Sequence, residues 1–438
     1  MSDLKIFAVT GCPIFHSRSP EIFNGFFRAL GINAIYTRLA AISAQEALAT
    51  AKSMKIEGLN VTSPFKIKIL QHIDQLDDEA LKIQSANCLH FQGNKWSGYN
   101  TDSAGVIGAL KANGIHPNGK NVVVLGAGGA ARAAAYGLIR AGAERVTFLN
   151  RTDERAKEAS RQLGCFYAPL MEADKILEKA QILISCVPSY EIFSKSVFPK
   201  KGLVVLDANY RDPFLAQEVK SKEGQIIDGL DWLFFQALPA FQIFSGQSVP
   251  DGLQKDLRLS FMKKKGVRKF NIALIGFMGS GKTTTGRLLA EKLNLDFIDT
   301  DRLIEESTGL LIREIFEREG EDFFRKVEKA TIAKIAPSLR NKVYSFGGGA
   351  ILDKDNCQMI KSSCHVVWLW VSSKSALKRV NFRARPLLNR ENPEGVAEKY
   401  LNARIPFYAR ASDLVISTED IGQEELAKRI QDEIGKTF

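Results

Sequence analysis

IALIGFMGSGKTT, residues 272–284, is the stretch of sequence that decides the fold of the second part of the chain. Its first four residues predict a buried strand, and Gly276 to Thr283 match the phosphate-loop pattern, in which a strand runs through a glycine-rich loop into a helix. Backbone N–H groups of such a loop hold phosphates, the lysine reaches the outer phosphates, and the next hydroxyl binds Mg²⁺. The pattern predicts a parallel α/β nucleotide-binding domain, whose contacts would be Gly279, Ser280, Gly281, Lys282, Thr283 and Thr284.

A second stretch of the same general form, VVVLGAGGAAR, lies upstream at residues 122–132. Here Gly126 permits a tight turn, Gly128 lets the backbone approach a pyrophosphate, and the small Ala131 seats the helix against the strand. The alternative is a plain tight turn, but the apolar strand before it and the alanine-rich helix after it favour a dinucleotide site. Its predicted contacts are Gly126, Ala127, Gly128, Gly129 and Ala130.

The next predicted strand ends in a basic sequence, Asn150-Arg151-Thr152. Sites for NAD usually carry an acidic residue near this point, which holds the ribose hydroxyls. A guanidinium pairs with a phosphate instead, so Arg151 favours NADP over NAD. All three residues are predicted cofactor contacts.

Length and composition limit what the chain can be. Its 438 residues exceed what one hydrophobic core usually holds, and 45% hydrophobic with 25% charged residues is typical of globular domains. No apolar run reaches the about 18 residues of a membrane span and the start lacks a signal-peptide pattern, so we expect a cytoplasmic protein without membrane partners. The net charge of +11 is spread out except at residues 262–269, which predicts a linker and no nucleic-acid partner.

Three short polar clusters precede the first glycine-rich turn, at residues 17–20, 60–66 and 98–102. Such clusters are usually only turns. However, Lys66 and Asp102 would form a proton-transfer pair if the fold brought them to one cleft, because a carboxylate orients an ammonium and tunes its acidity. Alternating strand and helix patterns around the clusters predict a separate α/β unit.

A phosphate loop alone fits a motor, a GTPase or a small-molecule kinase. Residues downstream of it must therefore indicate which molecule accepts the phosphoryl group. Asp299 and Asp301 end an apolar strand two positions apart, so one could serve the metal and the other an acceptor hydroxyl. Arg325 and Glu328 share a helical face, which is also the arrangement of an ordinary surface ion pair.

Residues 1–255 resemble shikimate dehydrogenases. The segments that carry the resemblance stand in family order: GCPIFHSRSP (11–20), NVTSPFK (60–66), GYNTD (98–102), GAGGAAR (126–132), NRT (150–152) and GLDWLFFQALPAF (229–241). The resemblance implies reversible hydride transfer between NADPH and 3-dehydroshikimate, with Lys66 as the catalytic acid/base and Asp102 positioning it. The implied shikimate contacts are Ser17, Ser19, Asn60, Thr62, Lys66, Asn87, Asp102 and Gln236. Val187, Tyr210 and Gly229 would join the NADP contacts.

Residues 271–438 resemble shikimate kinases through GFMGSGKTT (276–284), DTD (299–301), FRKVE (324–328), GGG (347–349), RPLL (385–388) and ARIPFYAR (403–410). The resemblance implies that Arg385 is a lid residue near the transferring phosphoryl group, that Asp301 orients the 3-hydroxyl, and that Lys282 is catalytic. The implied shikimate contacts are Asp301, Arg325, Gly348, Gly349 and Arg404. Arg379 and Arg385 would contact ATP, and Thr283 and Asp299 would hold Mg²⁺.

Together the two resemblances predict a bifunctional enzyme that makes shikimate from 3-dehydroshikimate and then phosphorylates it, two consecutive steps toward chorismate and the aromatic amino acids. They predict a substrate-binding domain at 1–103 with a return segment at 230–258, a Rossmann NADP-binding domain at 104–229, a basic linker at 259–269 and a P-loop domain at 270–438. A homo-oligomer stays open. The alternatives are a non-catalytic regulator that binds shikimate or nucleotides, and an NAD-preferring quinate/shikimate dehydrogenase in the first part.

Overall fold

The computed structural model describes residues 4–187, 201–210, 219–263, 269–335, 341–379 and 392–435. The chain divides into two compact units. The first unit contains Met1–Pro20, Ile32–Ile56 and Lys265–Phe438, and the second contains Glu21–Gly31 and Glu57–Lys264. These units do not correspond to the domains predicted from the sequence, whose boundaries stay a prediction.

The described residues form strands in both units. They are β1 (Lys5–Gly11), β2 (Ala34–Ala40), β3 (Gly58–Val61), β4 (Gln75–Leu76), β5 (Cys88–Gln92), β6 (Lys95–Tyr99), β7 (Asn121–Leu125), β8 (Arg145–Asn150), β9 (Phe166–Pro169), β10 (Ile182–Ser185), β11 (Val204–Asp207), β12 (Gln225–Asp228), β13 (Asn271–Ile275), β14 (Asp296–Asp299), β15 (Lys342–Ser345), β16 (Cys364–Trp370) and β17 (Leu414–Ser417).

Helices alternate with most of these strands. They are α1 (Ser19–Ala29), α2 (Ala44–Ser53), α3 (Asp78–Ile83), α4 (Asp102–Ala112), α5 (Gly129–Arg140), α6 (Asp153–Leu163), α7 (Ala173–Lys179), α8 (Gly229–Ser245), α9 (Asp251–Lys263), α10 (Lys282–Leu293), α11 (Thr300–Thr308), α12 (Ile312–Arg318), α13 (Gly320–Ile335), α14 (Lys354–Ser363), α15 (Ser373–Arg379), α16 (Pro393–Ala411) and α17 (Gln423–Ile434). Short 3₁₀ helices occur at Lys68–His72, Leu170–Glu172 and Ala350–Leu352. Among the described residues, no helix is long and apolar enough to cross a membrane.

The sheet of the first unit is parallel, with the order β14-β15-β13-β16-β17-β2-β1. Its inner strands read as continuous apolar runs, as expected where helices cover both faces of a parallel sheet. All five residues of β13 are buried, and so are Val366, Trp368 and Trp370 of β16. The predicted phosphate-loop strand is confirmed as β13, and the loops after β13, β14 and β15 emerge at the same edge of this sheet.

The second unit carries two groups of strands. The strands β3, β5, β6 and β4 form a mixed sheet in that order, with β3–β5 and β5–β6 antiparallel and β4–β6 parallel. The other sheet is parallel, with the order β12-β11-β10-β7-β8-β9. That order is the doubly wound Rossmann order, so the predicted fold of this region is confirmed.

Small side chains bring helix α5 close to the Rossmann sheet. Ala131, Ala134 and Ala135 are fully buried against strands β7, β8 and β10. The chain order reverses between β7 and β10, which is the point where nucleotides bind in this class of sheet. The fold therefore places the loop of residues 126–129 at the ligand crevice.

Candidate active sites

Lys66 and Asp102 form a buried ion pair in the second unit. The Lys66 Nζ lies 2.5 Å from Asp102 Oδ2, and the two side chains are 14% and 2% exposed. Lys66 follows strand β3 through a turn in which the Phe65 N–H donates to the Thr62 carbonyl (2.9 Å), and Asp102 is the first residue of α4. A buried carboxylate is tolerated when a cation and hydrogen bonds compensate it. The pair can therefore hold an ammonium proton donor in a fixed orientation.

Asn87 connects this ion pair to the neighbouring polar groups. Its Nδ2 donates to Asp102 Oδ1 (3.0 Å), Thr101 Oγ1 (3.0 Å) and Gln236 Oε1 (3.1 Å). Asn60 Nδ2 donates to the Asn87 carbonyl at 3.1 Å. The structure thus brings together the predicted residues Asn60, Lys66, Asn87, Asp102 and Gln236, and Thr62 lies half-buried beside them after β3.

Trp232 is a residue of this site that the sequence did not single out. Its Nε1 donates to the Asp102 carbonyl at 3.0 Å, and it lies one helical turn before Gln236 on α8. Helix α8 packs tightly on α4, because a Cβ on Gly105 would be 2.7 Å from Trp232 and from Gln236. Trp232 belongs to the segment GLDWLFFQALPAF, but only the structure shows that it contacts α4 at Asp102.

Ser17 and Ser19 belong to the first unit. Both side chains are buried, the Ser17 hydroxyl donates to Ser19 Oγ at 3.2 Å, and the Ser19 N–H donates to Ser17 Oγ at 3.4 Å. The two serines therefore act as one local hydroxyl pair.

The glycine-rich loop after β7 has the geometry of a dinucleotide site. Gly126 has φ +100°, and a Cβ on Gly128 would meet no atom within 4 Å, so the backbone there faces open space. A Cβ on Gly129 would overlap the Ser85 hydroxyl and lie 3.0 Å from the Lys66 side chain. The N-terminus of α5, which favours phosphate, therefore starts next to Lys66. Ala127 and Ala130 lie buried and half-buried in the same turn.

The other predicted cofactor contacts lie at strand ends of the same sheet. Asn150 ends β8 and donates from Nδ2 to the Thr152 carbonyl (2.8 Å), while Arg151 and Thr152 are exposed. Val187 follows β10 and Tyr210 follows β11, both half-buried. Gly229 begins α8, where a Cβ would lie 2.8 Å from the Ala208 carbonyl oxygen. These positions follow the carboxyl ends of strands of one parallel sheet, and their contacts with a cofactor stay predictions.

The phosphate loop of the first unit connects β13 to α10. Gly276, Gly279 and Gly281 have φ of +149°, +75° and +86°, and a Cβ on Gly276 would lie 2.6 Å from the Leu369 carbonyl oxygen. The Lys282 ammonium donates to the carbonyls of Gly276 (3.0 Å) and Phe277 (3.1 Å). The buried Ser280 hydroxyl has no hydrogen-bond partner among the described residues. A loop of this shape, with a lysine above it, fits phosphate groups.

An oxygen pair suited to Mg²⁺ stands beside the loop. Thr283 Oγ1 donates to Asp299 Oδ2 at 2.7 Å. No group of three or more metal-binding side chains exists in the described ranges. Because Mg²⁺ commonly takes one or two protein oxygens together with water and phosphates, these two residues fit it.

A cavity of about 660 Å³ opens from the phosphate loop and contains the predicted acceptor residues Asp301, Arg325, Gly348, Gly349 and Arg404. The Arg325 Nη1 lies 2.7 Å from Glu328 Oε2, and Arg404 is 8% exposed. Burial by itself would lower the pKa of Arg325, but the carboxylates of Glu328 and Glu321 raise it on balance. The cavity therefore presents two charged guanidinium groups, which is a suitable site for a carboxylate.

Glu328 lines this cavity and Tyr408 contacts the lining residue Gly348; the sequence analysis selected neither as a site residue. Glu328 is 1% exposed, and burial raises the pKa of its carboxyl although Arg325 opposes that change. Tyr408 donates to the Gly348 carbonyl at 2.6 Å, and burial raises the pKa of Tyr408 to about 12. Glu328 belongs to the FRKVE segment, and its spacing from Arg325 also fits a surface ion pair. Only its burial shows that it is an internal partner of Arg325.

Arg379 and Arg385 are the two remaining residues predicted to contact ATP. Arg379 ends α15 and lines the cavity, donating to the Thr418 hydroxyl (3.0 Å) and the Thr418 carbonyl (2.7 Å). Arg385 lies outside the described residues.

Comparison with known proteins matches family models to both parts of the chain. The family model for the shikimate dehydrogenase substrate binding domain matches residues 9–89, and that for shikimate / quinate 5-dehydrogenase matches 109–199. The shikimate kinase model matches residues 278–435.

Individual relatives match each part over nearly their whole length. A shikimate dehydrogenase (NADP(+)) of Aquifex aeolicus is 33% identical over 254 residues, 56% of this chain and 93% of the relative. A shikimate kinase of Moorella thermoacetica is 47% identical over 163 residues, 37% of this chain and 92% of the relative.

Solved structures match the first part as well. The crystal structure of the Aquifex aeolicus enzyme matches with a TM-score of 0.54 and 32% identity, covering 59% of this chain and 98% of that one. The Thermus thermophilus enzyme, solved in complex with NADP(H) and shikimate, matches with a TM-score of 0.52 and 30% identity, covering 59% of this chain and 99% of that one.

A Rossmann sheet beside a Lys–Asp ion pair and a phosphate loop beside an arginine-lined cavity define a dehydrogenase fused to a small-molecule kinase. The chain belongs to the shikimate dehydrogenase family in its first part and to the shikimate kinase family in its second, and it is a bifunctional shikimate-pathway enzyme. The predicted families are confirmed. Below, residues 1–263 are called the dehydrogenase part and residues 269–438 the kinase part.

Proposed function

We propose that the dehydrogenase part catalyses the reversible NADPH-dependent reduction of 3-dehydroshikimate to shikimate. The observation that carries this proposal is the Lys66–Asp102 pair next to the N-terminus of α5, where the dinucleotide loop ends. NADPH, when bound, supplies the hydride. The Lys66 ammonium donates a proton to the alkoxide that develops at the ketone oxygen. Asp102 fixes that ammonium, and Asn87 fixes Asp102 through the 3.0 Å hydrogen bond.

Polar side chains of the dehydrogenase part are proposed to hold the substrate hydroxyls and carboxylate. They are Ser17, Ser19, Asn60, Thr62, Lys66, Asn87, Asp102 and Gln236. The loop at residues 126–130, residues 150–152, Val187, Tyr210 and Gly229 are proposed to hold NADP. The domain boundaries predicted from the sequence and the cytoplasmic location stay predictions, and the oligomeric state stays open.

The kinase part is proposed to phosphorylate the 3-hydroxyl of shikimate. ATP, when bound with Mg²⁺, supplies the phosphoryl group. Arg325 and Arg404 hold the shikimate carboxylate, Gly348 and Gly349 present backbone to the ring, and Asp301 orients the hydroxyl. Lys282 and Arg385 stabilise negative charge on the transferring group, and Thr283 and Asp299 hold the metal. The 660 Å³ cavity supports this arrangement, because it joins the phosphate loop to both arginines.

One coupled assay tests both activities. Purified protein receives 3-dehydroshikimate, NADPH, ATP and Mg²⁺, while NADPH loss and ADP release are followed together. We expect NADPH loss first, and ADP release only after shikimate has formed. Protein that neither oxidises shikimate with NADP⁺ nor phosphorylates it from ATP would contradict the proposal and would favour a non-catalytic regulator.

Arg151→Ala should weaken the preference for NADP. Arg151 is exposed at the end of β8, so it is available to pair with the 2′-phosphate. We expect the KM for NADP⁺ to rise about tenfold, as for loss of one charge-assisted contact, and the KM for NAD⁺ to stay unchanged. Steady-state rates with each cofactor measure this, and Arg161→Ala, an exposed arginine of α6, is the control. A wild-type preference for NAD⁺ would contradict the assigned role of Arg151.

Gly349→Ala should weaken shikimate binding in the kinase reaction without destabilising the protein. A Cβ on Gly349 would lie 2.5 Å from both terminal nitrogens of Arg325, so the guanidinium would have to leave its position. Because the flexible end of a side chain moves easily, we expect the KM for shikimate to rise about tenfold with little change in Tm.

Gly422→Ala is the control for this prediction, because Gly422 lies in the kinase part before α17 and is not a proposed site residue. There no atom would lie within 4 Å of the new Cβ. Equal KM values for the two variants would contradict the proposed role of the Arg325 position.

A further inference from the structure

The loop that carries Ser17 and Ser19 is held by the last helix of the chain. The Ile14 and Phe15 N–H groups both donate to Glu433 Oε2, at 2.7 and 2.8 Å. Glu433 lies on α17 in the kinase part, more than 400 residues away along the chain. Hydrogen bonds from two backbone donors to one carboxylate oxygen are charge-assisted and stronger than neutral ones. All of these residues belong to the first unit.

A second connection reaches Ser17 itself. Arg38 of β2 donates from Nε to the Ser17 carbonyl (2.8 Å) and from Nη1 to the Asp413 carbonyl (3.0 Å). Asp413 is fixed in turn, because its Oδ2 accepts from the Val366 N–H (3.0 Å) and from Lys269 Nζ (3.1 Å). Arg38 therefore links the carbonyl of a proposed substrate residue to the kinase part.

Strand pairing keeps these groups in register. Strand β2 of the dehydrogenase part pairs in parallel with β17 of the kinase part, Val415 opposite Leu39 and Ile416 opposite Ala40. Arg429 and Glu46 form an ion pair at 2.8 Å, with side chains 17% and 23% exposed. Arg429 lies one turn before Glu433 on α17, on the same face of the helix. One sheet thus contains strands of both enzyme parts.

Aromatic packing completes the contact. The Phe15 and His365 ring centroids are 5.0 Å apart with an interplanar angle of 86°. Burial lowers the pKa of His365 to about 4, so its ring is neutral at neutral pH and packs as an apolar group. The loop at residues 12–19 is therefore held by Glu433 at its start, by Phe15 packing in its middle and by Arg38 at Ser17.

The turn transmits this fixation to the serines. The Ser17 N–H donates to the Ile14 carbonyl at 2.9 Å, and the Ser17 hydroxyl donates to Ser19 Oγ at 3.2 Å. Ile14 is fully buried and Phe15 is 8% exposed, so the turn cannot move outward without losing packed apolar contacts.

We propose that Glu433 of the kinase part is a positioning residue for the dehydrogenase reaction, holding the loop at residues 12–19 in its shikimate-binding form. This inference rests on the proposed function, because it uses Ser17 and Ser19 as shikimate contacts. It makes the kinase part a structural component of the other enzyme's substrate site.

Glu433→Ala in the full chain tests the proposal. We expect the KM for shikimate in NADP⁺ reduction to rise about tenfold, the value for losing one charge-assisted interaction, while kcat and both kinase constants change less than about twofold. Glu433→Gln keeps an acceptor oxygen, so it should recover most of the lost affinity. Glu424→Ala is the control, because that carboxylate lies on the same helix and pairs with Lys292 at 3.3 Å.

Each other outcome overturns the proposal. Unchanged KM values in both Glu433 variants would show that the loop does not need this carboxylate. Parallel loss of dehydrogenase and kinase activity in both variants would show a general structural role. Wild-type protein that does not oxidise shikimate would overturn the proposed function itself, and is distinguished by lacking the activity before any substitution.

Discussion

Lys66→Ala should lower the kcat of shikimate oxidation by about a hundredfold to ten-thousandfold, the usual contribution of a positioned general acid or base. The Lys66 ammonium lies 2.5 Å from the Asp102 carboxylate, and among the described residues no other lysine forms an ion pair with that carboxylate. The measurement is initial NADPH formation at saturating shikimate and NADP⁺. Kinase activity of the same preparation should be unchanged, which shows that the chain is folded.

Loss of Lys66 should also destabilise the dehydrogenase part. Asp102 is 2% exposed, and removing one partner of a buried ion pair typically costs about 3–5 kcal/mol. A lower Tm is therefore expected together with the loss of rate. Lys68→Ala is the matched control, because Lys68 is an exposed lysine two residues on, in the 3₁₀ helix Lys68–His72. If Lys66→Ala retained more than about a tenth of the wild-type kcat, the acid/base role would be wrong.

Lys282→Ala should lower kcat/KM for shikimate phosphorylation by about a hundredfold to a thousandfold, the scale for removing one preorganised group that stabilises transition-state charge. The Lys282 ammonium lies over the phosphate loop, bound to the Gly276 and Phe277 carbonyls, where it can shift onto the phosphates. ADP release at saturating ATP measures this change, and shikimate oxidation should keep its wild-type rate.

The control for Lys282 is Lys292→Ala on the same helix. Lys292 is exposed and pairs with Glu424 at 3.3 Å, away from the loop. Simultaneous loss of both activities in Lys282→Ala, or in Lys66→Ala, would contradict two separate active sites.

Local patterns predicted the strands that precede both glycine-rich loops. The strand predicted at residues 272–275 is observed as Asn271–Ile275, and the strand predicted before the turn at Gly126 is observed as Asn121–Leu125. These predictions succeeded because a strand buried on both faces is a continuous apolar run and the turns after it need glycine. The phosphate loop is predictable for the same reason, since positive φ angles and close backbone approach at Gly276 admit no side chain.

Residues of the candidate sites were predictable where a motif places the functional side chains on adjacent residues. Lys282 and Thr283 follow directly from the loop, whereas the residues alone made Lys66 and Asp102 only a conditional pair, and the family resemblance implied their roles. From the residues alone, two polar turns 36 positions apart have no reason to meet. The central role of Asn87 was likewise hidden, because its three acceptors come from α4 and α8.

The sequence by itself determined the two nucleotide-binding folds and the family of each part, because glycine spacing and strand patterns act over a few neighbouring residues. Only the tertiary structure decided that Glu328 is a buried partner of Arg325 and that Glu433 binds the loop before Ser17. The physical reason is that burial and long-range hydrogen bonds depend on which elements the sheet brings together. A glutamate on a helix carries no local sign of whether its carboxylate meets water, an arginine or two backbone N–H groups.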